Sequence, residues 1–396
     1  MRTRSLIKRI VIILGAFSIL IPLAGCWSTI ELNDRAFARL LIFDKGKQGI
    51  ELTVGFPLPN RMIPGMTSGG QQKGAPYTFV SKEGIDVEQA LRNIQIDLSR
   101  KITLGQTSVV IIGKELAQEG IGQVLQFLAR EPRIHINASM FVTEGQGKEL
   151  SRIPVVFERF PIDILTAYVR QHETINTTVK DFLMADVTGG GDMVLPLLSF
   201  TPKAIQSEPG KIQDWMGVGG AAIFRQTKLA ATVGVKGMRG ALWVLGQLEN
   251  AEMTVASPSN EGTVSFYVEH SFTKIKPYLQ NDQVHIGIEC SGVARILASD
   301  TDLNVEDPSQ LKILEGLLEA AVQKRIMDMI NKTIEMKADA FQFGQHVSWR
   351  YPKHWQAMKS RWIELYGDKQ VPVNVNADIH IKYLGTQQQT NWIGGN

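Results

Sequence analysis

The first 26 residues constrain this chain more than any other stretch. Four basic residues precede position 10, and the run from Ile10 to Gly25 is uncharged and mostly apolar. The run ends in Leu23-Ala24-Gly25-Cys26, where small residues directly precede a cysteine. This arrangement is typical of a bacterial lipoprotein signal, which is cleaved between Gly25 and Cys26. Cys26 is the predicted lipidation site, because its sulfur is the nucleophile that a lipid donor alkylates.

Two alternative interpretations of this segment are weaker. A permanent transmembrane helix needs about 20 apolar residues to cross the membrane, whereas this run has about 16 and contains Pro22 near its end. A plain signal peptide that happens to contain a cysteine is the other alternative. The lipoprotein interpretation removes residues 1–25 as a signal peptide and leaves 371 of the 396 residues. An S-diacylglyceryl group on Cys26, with or without an N-acyl group, then anchors the mature chain in membrane lipid.

Removal of the signal peptide changes the charge balance. The full chain has 42 Lys and Arg against 39 Asp and Glu, but four of the basic residues precede Cys26, so the mature chain has 38 basic residues and a net charge of about −1. A nucleic-acid partner is therefore not indicated. The chain has two cysteines. If Cys26 carries lipid, Cys290 has no intramolecular partner, and no disulfide framework is expected.

Changes in residue pattern along the mature chain predict a multidomain ectodomain of mixed α/β composition, with three domains. An N-terminal α/β domain is predicted over 26–205, because stretches of helical periodicity alternate there with short apolar strands. A small middle β-rich unit, 210–260, contains a predicted hairpin, and 261–396 form the C-terminal domain. The predicted helices of the first domain cover 86–100, 115–130, 162–171 and 179–187, and a predicted loop covers 59–76.

The C-terminal domain is predicted to be α+β, an antiparallel sheet packed by a long helix and by a second, aromatic helix. Asp307 and Pro308 supply an N-cap and a proline at the first helical position, and an amphipathic stripe then runs to about Ala340. We expect this helix to pack on the sheet, with a coiled-coil seam as the alternative. The predicted strands are 264–272, 284–290 and 371–383, and the aromatic helix covers 352–366.

The sequence contains no arrangement of residues typical of a catalytic or metal site. Its seven histidines are scattered, without a His-Glu-x-x-His motif or a Cys/His cluster of metal-ligand spacing. Gly113-Lys114 lacks the other residues of a phosphate-binding loop. Gly344 is expected at a left-handed helix C-cap, and Trp355 and Trp362 are expected in the core. The residues alone therefore predict a non-enzymatic interaction or ligand-binding subunit, with no metal and no cofactor.

Seven segments spread over almost the whole chain share the order and spacing of one known family's motifs. They are 25–34 (GCWSTIELND), 99–101 (SRK), 110–117 (VIIGKELA), 127–132 (FLAREP), 339–344 (DAFQFG), 351–355 (YPKHW) and 361–362 (RW). Together they resemble the Ger(x)C spore germination lipoproteins, the C subunits of nutrient germinant receptors in spore-forming Bacillales and Clostridia. The family commonly has Asp where Ser28 stands and often a histidine near Gln106, so neither position is given a role.

The resemblance implies a three-domain α/β ectodomain on the outer face of the spore inner membrane. Its implied partners are the receptor's A subunit, a membrane protein with a soluble domain, and the B subunit, which is similar to amino-acid transporters. The implied receptor senses amino acids, sugars or nucleosides and triggers ion and dipicolinate release. Two alternatives are a solute-binding lipoprotein of a nutrient uptake system, which the unequal domains argue against, and a surface hydrolase, for which the sequence offers no polar constellation.

Overall fold

The computed structural model describes residues 31–58, 61, 75–189, 191–204, 212–257, 262–301 and 307–382. The signal peptide, with Gly25, and Cys26 lie outside these residues, as does most of the loop predicted at 59–76. The described residues form sheets of eight, four and two strands, with helices packed against them. The predicted multidomain class of mixed helix and strand is confirmed.

Ten of the described strands lie within residues 35–234. They are β1 Arg35–Phe37, β2 Leu40–Gly46, β3 Gly49–Pro57, β4 Tyr77–Gly84, β5 Lys101–Thr103, β6 Val109–Ile112, β7 Ser139–Thr143, β8 Met193–Ala204, β9 Ile212–Arg225 and β10 Lys228–Gly234. Eight of them form one sheet in the order β10-β9-β8-β7-β6-β2-β3-β4, and β1 pairs with β5 separately. The pairs β2–β6, β6–β7 and β7–β8 are parallel, and the outer pairs are antiparallel.

Helical segments cover both faces of the eight-stranded sheet. The helices are α1 Val87–Ile96, α2 Lys114–Glu119, α3 Gly122–Arg130, α4 Pro161–Arg170 and α5 Val179–Gly189. The paired residues of β2 and β6, Leu40–Phe43 and Val109–Ile112, are all apolar because α1, α2, α3 and α5 pack on one face and α4 on the other. The single helix predicted over 115–130 is wrong, since Gly120 separates α2 from α3 with a φ of +124°, which glycine adopts readily.

The C-terminal half forms the four-stranded sheet. Its elements are α6 Val235–Val244, β11 Glu249–Ala256, β12 Thr263–Gln280, β13 Gln283–Ser299, α7 Pro308–Glu335, α8 Phe343–Arg350, α9 Pro352–Met358, α10 Trp362–Gly367 and β14 Val373–Ile381. The strand order is β11-β12-β13-β14. Strands β12 and β13 are antiparallel, as predicted, and β11, which was not predicted in this sheet, pairs antiparallel with β12. The prediction that the last strand joins an antiparallel sheet is wrong, because β14 lies parallel to β13. The four helices between β13 and β14 form the long crossover that a parallel pair requires.

The long helix α7 begins as its sequence predicts. The Asp307 carboxylate accepts a hydrogen bond of 2.8 Å from the Ser309 N–H, and Pro308 occupies the first turn. The apolar stripe of α7 is buried in the hydrophobic core, so the packed-helix prediction is confirmed and the coiled-coil alternative is not. The carboxylates of Glu319 and Glu315 accept hydrogen bonds of 3.0 and 2.9 Å from backbone N–H groups of β14. They thereby satisfy donors that an edge strand would leave unpaired.

Residues 210–260, predicted as a separate middle unit, contribute to both large sheets. The predicted hairpin is present as β9 and β10, and β9 pairs with β8 along most of its length, which extends the eight-stranded sheet. Helix α6 packs in the other core, and β11 pairs with β12. The boundaries of the three domains remain a prediction. Among the described residues, no helix has both the length and the apolar composition needed to cross a membrane.

Gly344 has a different role from the predicted one. The left-handed residue before α8 is Gln342, with a φ of +59°, and Gly344 lies within the helix. A Cβ atom on Gly344 would lie 2.7 Å from the ring of Trp355 and 2.8 Å from Nε1 of Trp362. Trp362 is buried, as predicted, and meets the partly buried Trp355 edge to face at 5.4 Å. Glycine is therefore required for close approach of two rings and not for a cap.

We predict that Gly344→Ala lowers the free energy of unfolding by about 1–3 kcal/mol, because the added methyl group overpacks the two indole rings. Gly316→Ala is the matched control, since Gly316 is an exposed position of α7 and no other side chain lies within 4 Å of the methyl group that alanine would add. The control should raise stability by about 0.5–1 kcal/mol through helix propensity. Urea unfolding followed by circular dichroism measures both, and equal effects of the two substitutions would contradict the packing argument.

Candidate functional site

The predicted lipidation and cleavage residues, Cys26 and Gly25, precede the described chain, which begins at Glu31. Their role therefore remains a prediction. Within the described ranges, no three His, Cys, Asp or Glu side chains are close enough to hold a metal ion together.

The carboxyl ends of the parallel strands, where α/β sheets commonly bind ligands, are closed by a buried side chain. Asp44, at the end of β2, accepts hydrogen bonds of 2.7 and 2.8 Å from the backbone N–H groups of Gly147 and Lys148. A Cβ atom on Gly113 would overlap the Asp44 carboxylate, so Gly113 is needed for this close approach. Burial raises the pKa of Asp44. A carboxylate that fills this position leaves no place for a phosphate beside Gly113-Lys114.

Cys290 has the environment of a core residue. It is buried on β13, and Thr273 donates a weak hydrogen bond of 3.5 Å to its sulfur. Burial raises the pKa of the thiol, so the thiolate that reacts with oxidants and electrophiles is disfavoured. The described structure thus gives Cys290 a packing role.

A buried, hydrogen-bonded polar cluster lies between the two large sheets. We call it the junction and define it as Asp192, Gln342 and Asp339 with their hydrogen-bond donors. Asp192 directly precedes β8 of the eight-stranded sheet, and Asp339 lies in the turn between α7 and α8. Both side chains are buried, with exposed fractions of 2% and 6%. Buried carboxylates are costly unless hydrogen bonds satisfy them.

Asp339 organises the C-terminal side of the junction. Its Oδ1 accepts a hydrogen bond of 2.8 Å from the Phe343 N–H. Its Oδ2 accepts one of 2.7 Å from the Gly344 N–H and one of 2.8 Å from the indole N–H of Trp362. A single carboxylate therefore fixes the first turn of α8 and connects it to α10.

Asp192 connects the two sheets directly. Its Oδ2 accepts a hydrogen bond of 2.8 Å from the backbone N–H of Asp339, and its Oδ1 accepts one of 2.9 Å from the Gln226 N–H in the β9–β10 turn. In return, the side-chain amide of Gln342 donates a hydrogen bond of 2.5 Å to the Asp192 carbonyl. Three hydrogen bonds thus join the start of β8, the β9–β10 turn and the segment after α7.

Burial governs the charge states of the junction. Burial is the main reason that the pKa of Asp339 is raised to about 6; the nearby Asp192 charge also raises this pKa, and the three donated hydrogen bonds lower it. Burial also raises the pKa of Asp192, while its two backbone donors and the charge of Arg225 lower it. Both carboxylates sit among fixed donors without access for a substrate. The junction therefore forms a structural connection between the sheets.

Apolar and aromatic packing surrounds the junction. A single hydrophobic cluster contains Val194 and Ile223 from the eight-stranded sheet together with Phe343 of α8. Trp362 stacks on Tyr366 at 6.2 Å, and the Tyr366 hydroxyl shares a hydrogen bond of 2.7 Å with the Thr333 hydroxyl of α7. The two large sheets consequently share one core at this place.

The sequence prediction missed the junction. Asp192 follows a glycine run that predicts only a loop, and Asp339 appeared only as the first residue of the segment 339–344. An isolated Asp directly before a long apolar strand was the available signal. Its partner could not be identified, because the two residues are 147 positions apart.

We predict that Asp339→Asn lowers the free energy of unfolding by about 1–3 kcal/mol, because the amide NH2 would face a backbone donor. The folded pKa of about 6 exceeds the ordinary value of 3.8, so the wild type gains stability from this group below about pH 4 and loses it as the pH rises through about 6. The substitution should therefore cost more at about pH 4.5 than at about pH 7.5.

Urea titrations at both pH values measure this difference. Asp328→Asn is the matched control, since Asp328 is exposed on α7 and pairs with Lys324 four residues away. It should change stability by less than about 0.5 kcal/mol. If Asp339→Asn and the control lower the free energy of unfolding by the same amount, the hydrogen bonds of Asp339 do not stabilise the junction as argued.

Comparison with known proteins accounts for nearly the whole chain. Residues 28–200 match the family described as spore germination protein N-terminal domain, and residues 219–385 match the family described as spore germination B3/GerAC like, C-terminal. The division between these two families falls between the end of β8, the strand that Asp192 precedes, and the first half of β9.

Individual relatives agree with the family matches. The chain is 26% identical over 361 residues to the putative spore germination protein YfkR of Bacillus subtilis (strain 168), covering 90% of this chain and 92% of the relative. It is 24% identical over 382 residues to spore germination protein KC of the same organism, covering 92% and 93%.

A solved structure shares the fold. The crystal structure of the GerBC protein matches with a TM-score of 0.54 and 18% identity, over 89% of this chain and 99% of that one. The segments that first indicated a resemblance include the Asp339–Gly344 turn, which the structure places at the junction. The matches to both halves, the full-length relatives and the shared fold show that this chain belongs to the Ger(x)C family of spore germination proteins.

Proposed function

We propose that this chain is the lipid-anchored C subunit of a spore nutrient germinant receptor and is needed for assembly and signalling of that receptor. The observation that carries the proposal is the match, over 92% of the chain, to proteins named spore germination protein KC and spore germination protein B3. The lipoprotein signal that ends at Cys26 supports the same assignment, because it supplies the membrane attachment.

In this proposal the chain acts by position and contact, without catalysis. A diacylglyceryl group on Cys26 confines the ectodomain to the outer face of the spore inner membrane. Confinement to one surface raises its effective concentration near the membrane-embedded A and B subunits, so that modest contacts suffice for assembly. The closed strand ends at Asp44 and the fully hydrogen-bonded junction support a non-enzymatic role, because each apparent site is filled by the protein's own groups.

The face of the four-stranded sheet opposite α7 is the docking surface that we propose for the partner subunits. The Arg295 guanidinium lies 4.6 Å from the centre of the Tyr267 ring there, and both side chains are partly exposed. Nearby on β12, Phe272 is 65% exposed, although it is a large apolar side chain. Tyrosine, arginine and exposed apolar groups are enriched at protein interfaces.

The alternative, a solute-binding lipoprotein of a nutrient uptake system, is less well supported. Such proteins bind their ligand in a cleft between two lobes that move relative to each other. Here the two large sheets share one hydrophobic cluster and two junction hydrogen bonds, which oppose that opening.

We predict that a spore-forming host in which this gene is deleted loses its germination response to one nutrient class. Complementation with the wild-type gene should restore the response, and Cys26→Ala should not, because that protein stays an unprocessed precursor without a lipid anchor. Cys290→Ala is the matched control, since it removes the other cysteine and leaves the signal intact. Dipicolinate release against a panel of single nutrients measures germination, and detergent partitioning with mass measurement follows processing.

A non-nutrient germination trigger controls for spore viability and should act normally in all strains. An unchanged germination profile together with defective nutrient uptake would contradict the proposal and favour the solute-binding alternative. Normal processing and detergent partitioning of Cys26→Ala would contradict the lipid anchor.

A further inference from the structure

A surface cleft of about 340 Å³ lies beside β1, where the described chain begins. Strand β1, the ends of β3 and β4 that lie next to it, and the turn after α1 form its walls. Neither the proposed receptor role nor the family match assigns anything to this cleft. Its lining combines two kinds of group, positively charged and apolar side chains.

Positive charge is the first of these. Arg35, Arg61 and Arg100 line the cleft, and none of the described residues that line it is acidic. Arg61 and Arg100 are exposed, and Arg61 donates a hydrogen bond of 3.1 Å to the Ala75 carbonyl. The lining of the cleft therefore places no carboxylate beside the guanidinium groups of Arg61 and Arg100. Planar guanidinium groups bind phosphate oxygens in pairs of parallel hydrogen bonds, more specifically than lysine does.

Apolar surface is the second. Phe37, Phe56, Leu58 and Leu98 contribute to the walls between the arginines. Only Phe56 of these four is fully buried, so the others leave apolar atoms accessible from the cleft. A small inorganic anion would use the arginines and leave this apolar surface in water. An amphiphile with a phosphate group would use both.

Location provides a third argument, and this step rests on the proposed lipidation of Cys26. Strand β1 pairs in parallel with β5, with Arg35 opposite Lys101, which places the start of β1 next to the residue that follows Arg100. Arg35 lies nine positions after Cys26, so the chain between these two residues spans about 30 Å at most when fully extended. The cleft is therefore held within reach of the lipid headgroups of the membrane that carries the anchor.

We propose that this cleft binds the phosphate group of an anionic phospholipid, with Arg61 and Arg100 contacting the phosphate and the apolar walls contacting the glycerol and upper acyl carbons. Anionic lipid surfaces attract arginine and lysine at close range. A lipid bound in the cleft would be a second attachment beside the covalent anchor, and two attachments fix the orientation of the ectodomain on the membrane. The flexible covalent anchor alone would leave the ectodomain free to rotate.

Native mass spectrometry of the full-length lipoprotein, purified in a neutral detergent and supplied with equal amounts of phosphatidylglycerol and phosphatidylcholine, tests this proposal. We expect phosphatidylglycerol to be retained preferentially. Arg61→Gln and Arg100→Gln should each reduce its retention about fivefold, and the double variant should lose the preference. Both side chains are exposed, so the substitutions leave the core unchanged. Arg130→Gln is the matched control, an exposed arginine of α3 outside the cleft.

Equal retention of the two lipids by the wild type, or an unchanged preference in the double variant, would overturn the proposal. Displacement of phosphatidylglycerol by inorganic phosphate at about its own concentration would overturn the lipid assignment in favour of a free phosphate site. The same spectra give the covalent mass of the protein. A lipidated mass without phosphatidylglycerol preference would reject the cleft alone, and an unlipidated mature mass would reject the anchor.

Discussion

The carboxylate of Asp339 receives three hydrogen bonds in a place that water does not reach, and much of the C-terminal architecture depends on it. A buried carboxylate without donors would destabilise the fold by several kcal/mol. The chain therefore turns after α7 so that two backbone N–H groups point at Asp339, and Trp362 approaches from α10. Gly344 permits that approach, because any side chain there would overlap the indole rings.

The same turn connects the two large sheets. One carboxylate oxygen of Asp192 accepts a hydrogen bond from the backbone N–H of Asp339. The other oxygen accepts a hydrogen bond from the Gln226 N–H in the β9–β10 turn. Hydrophobic residues of both sheets form one cluster around these bonds, so the polar contacts fix a specific arrangement and the apolar contacts supply most of the free energy.

Patterns among neighbouring residues predicted most helices and strands, whereas contacts between segments far apart in the sequence could not be predicted. Asp307 and Pro308 identify the start of α7 because a cap needs only neighbouring residues, and strict alternation identifies β12 and β13. The sequence could not show that β9 would pair with β8, or that β14 would lie parallel to β13, since both depend on the packing of other elements. The Asp192–Asp339 contact joins residues 147 positions apart, and periodicity carries no information about it.

The central claim is that the junction and its surrounding core make the two sheets one cooperative body. Differential scanning calorimetry of the wild-type protein tests this claim most directly, through the ratio of the calorimetric enthalpy to the van't Hoff enthalpy. A single transition with a ratio of about one would agree with the claim. Two resolved transitions, or a ratio well above one, would show that the sheets unfold independently and would contradict it.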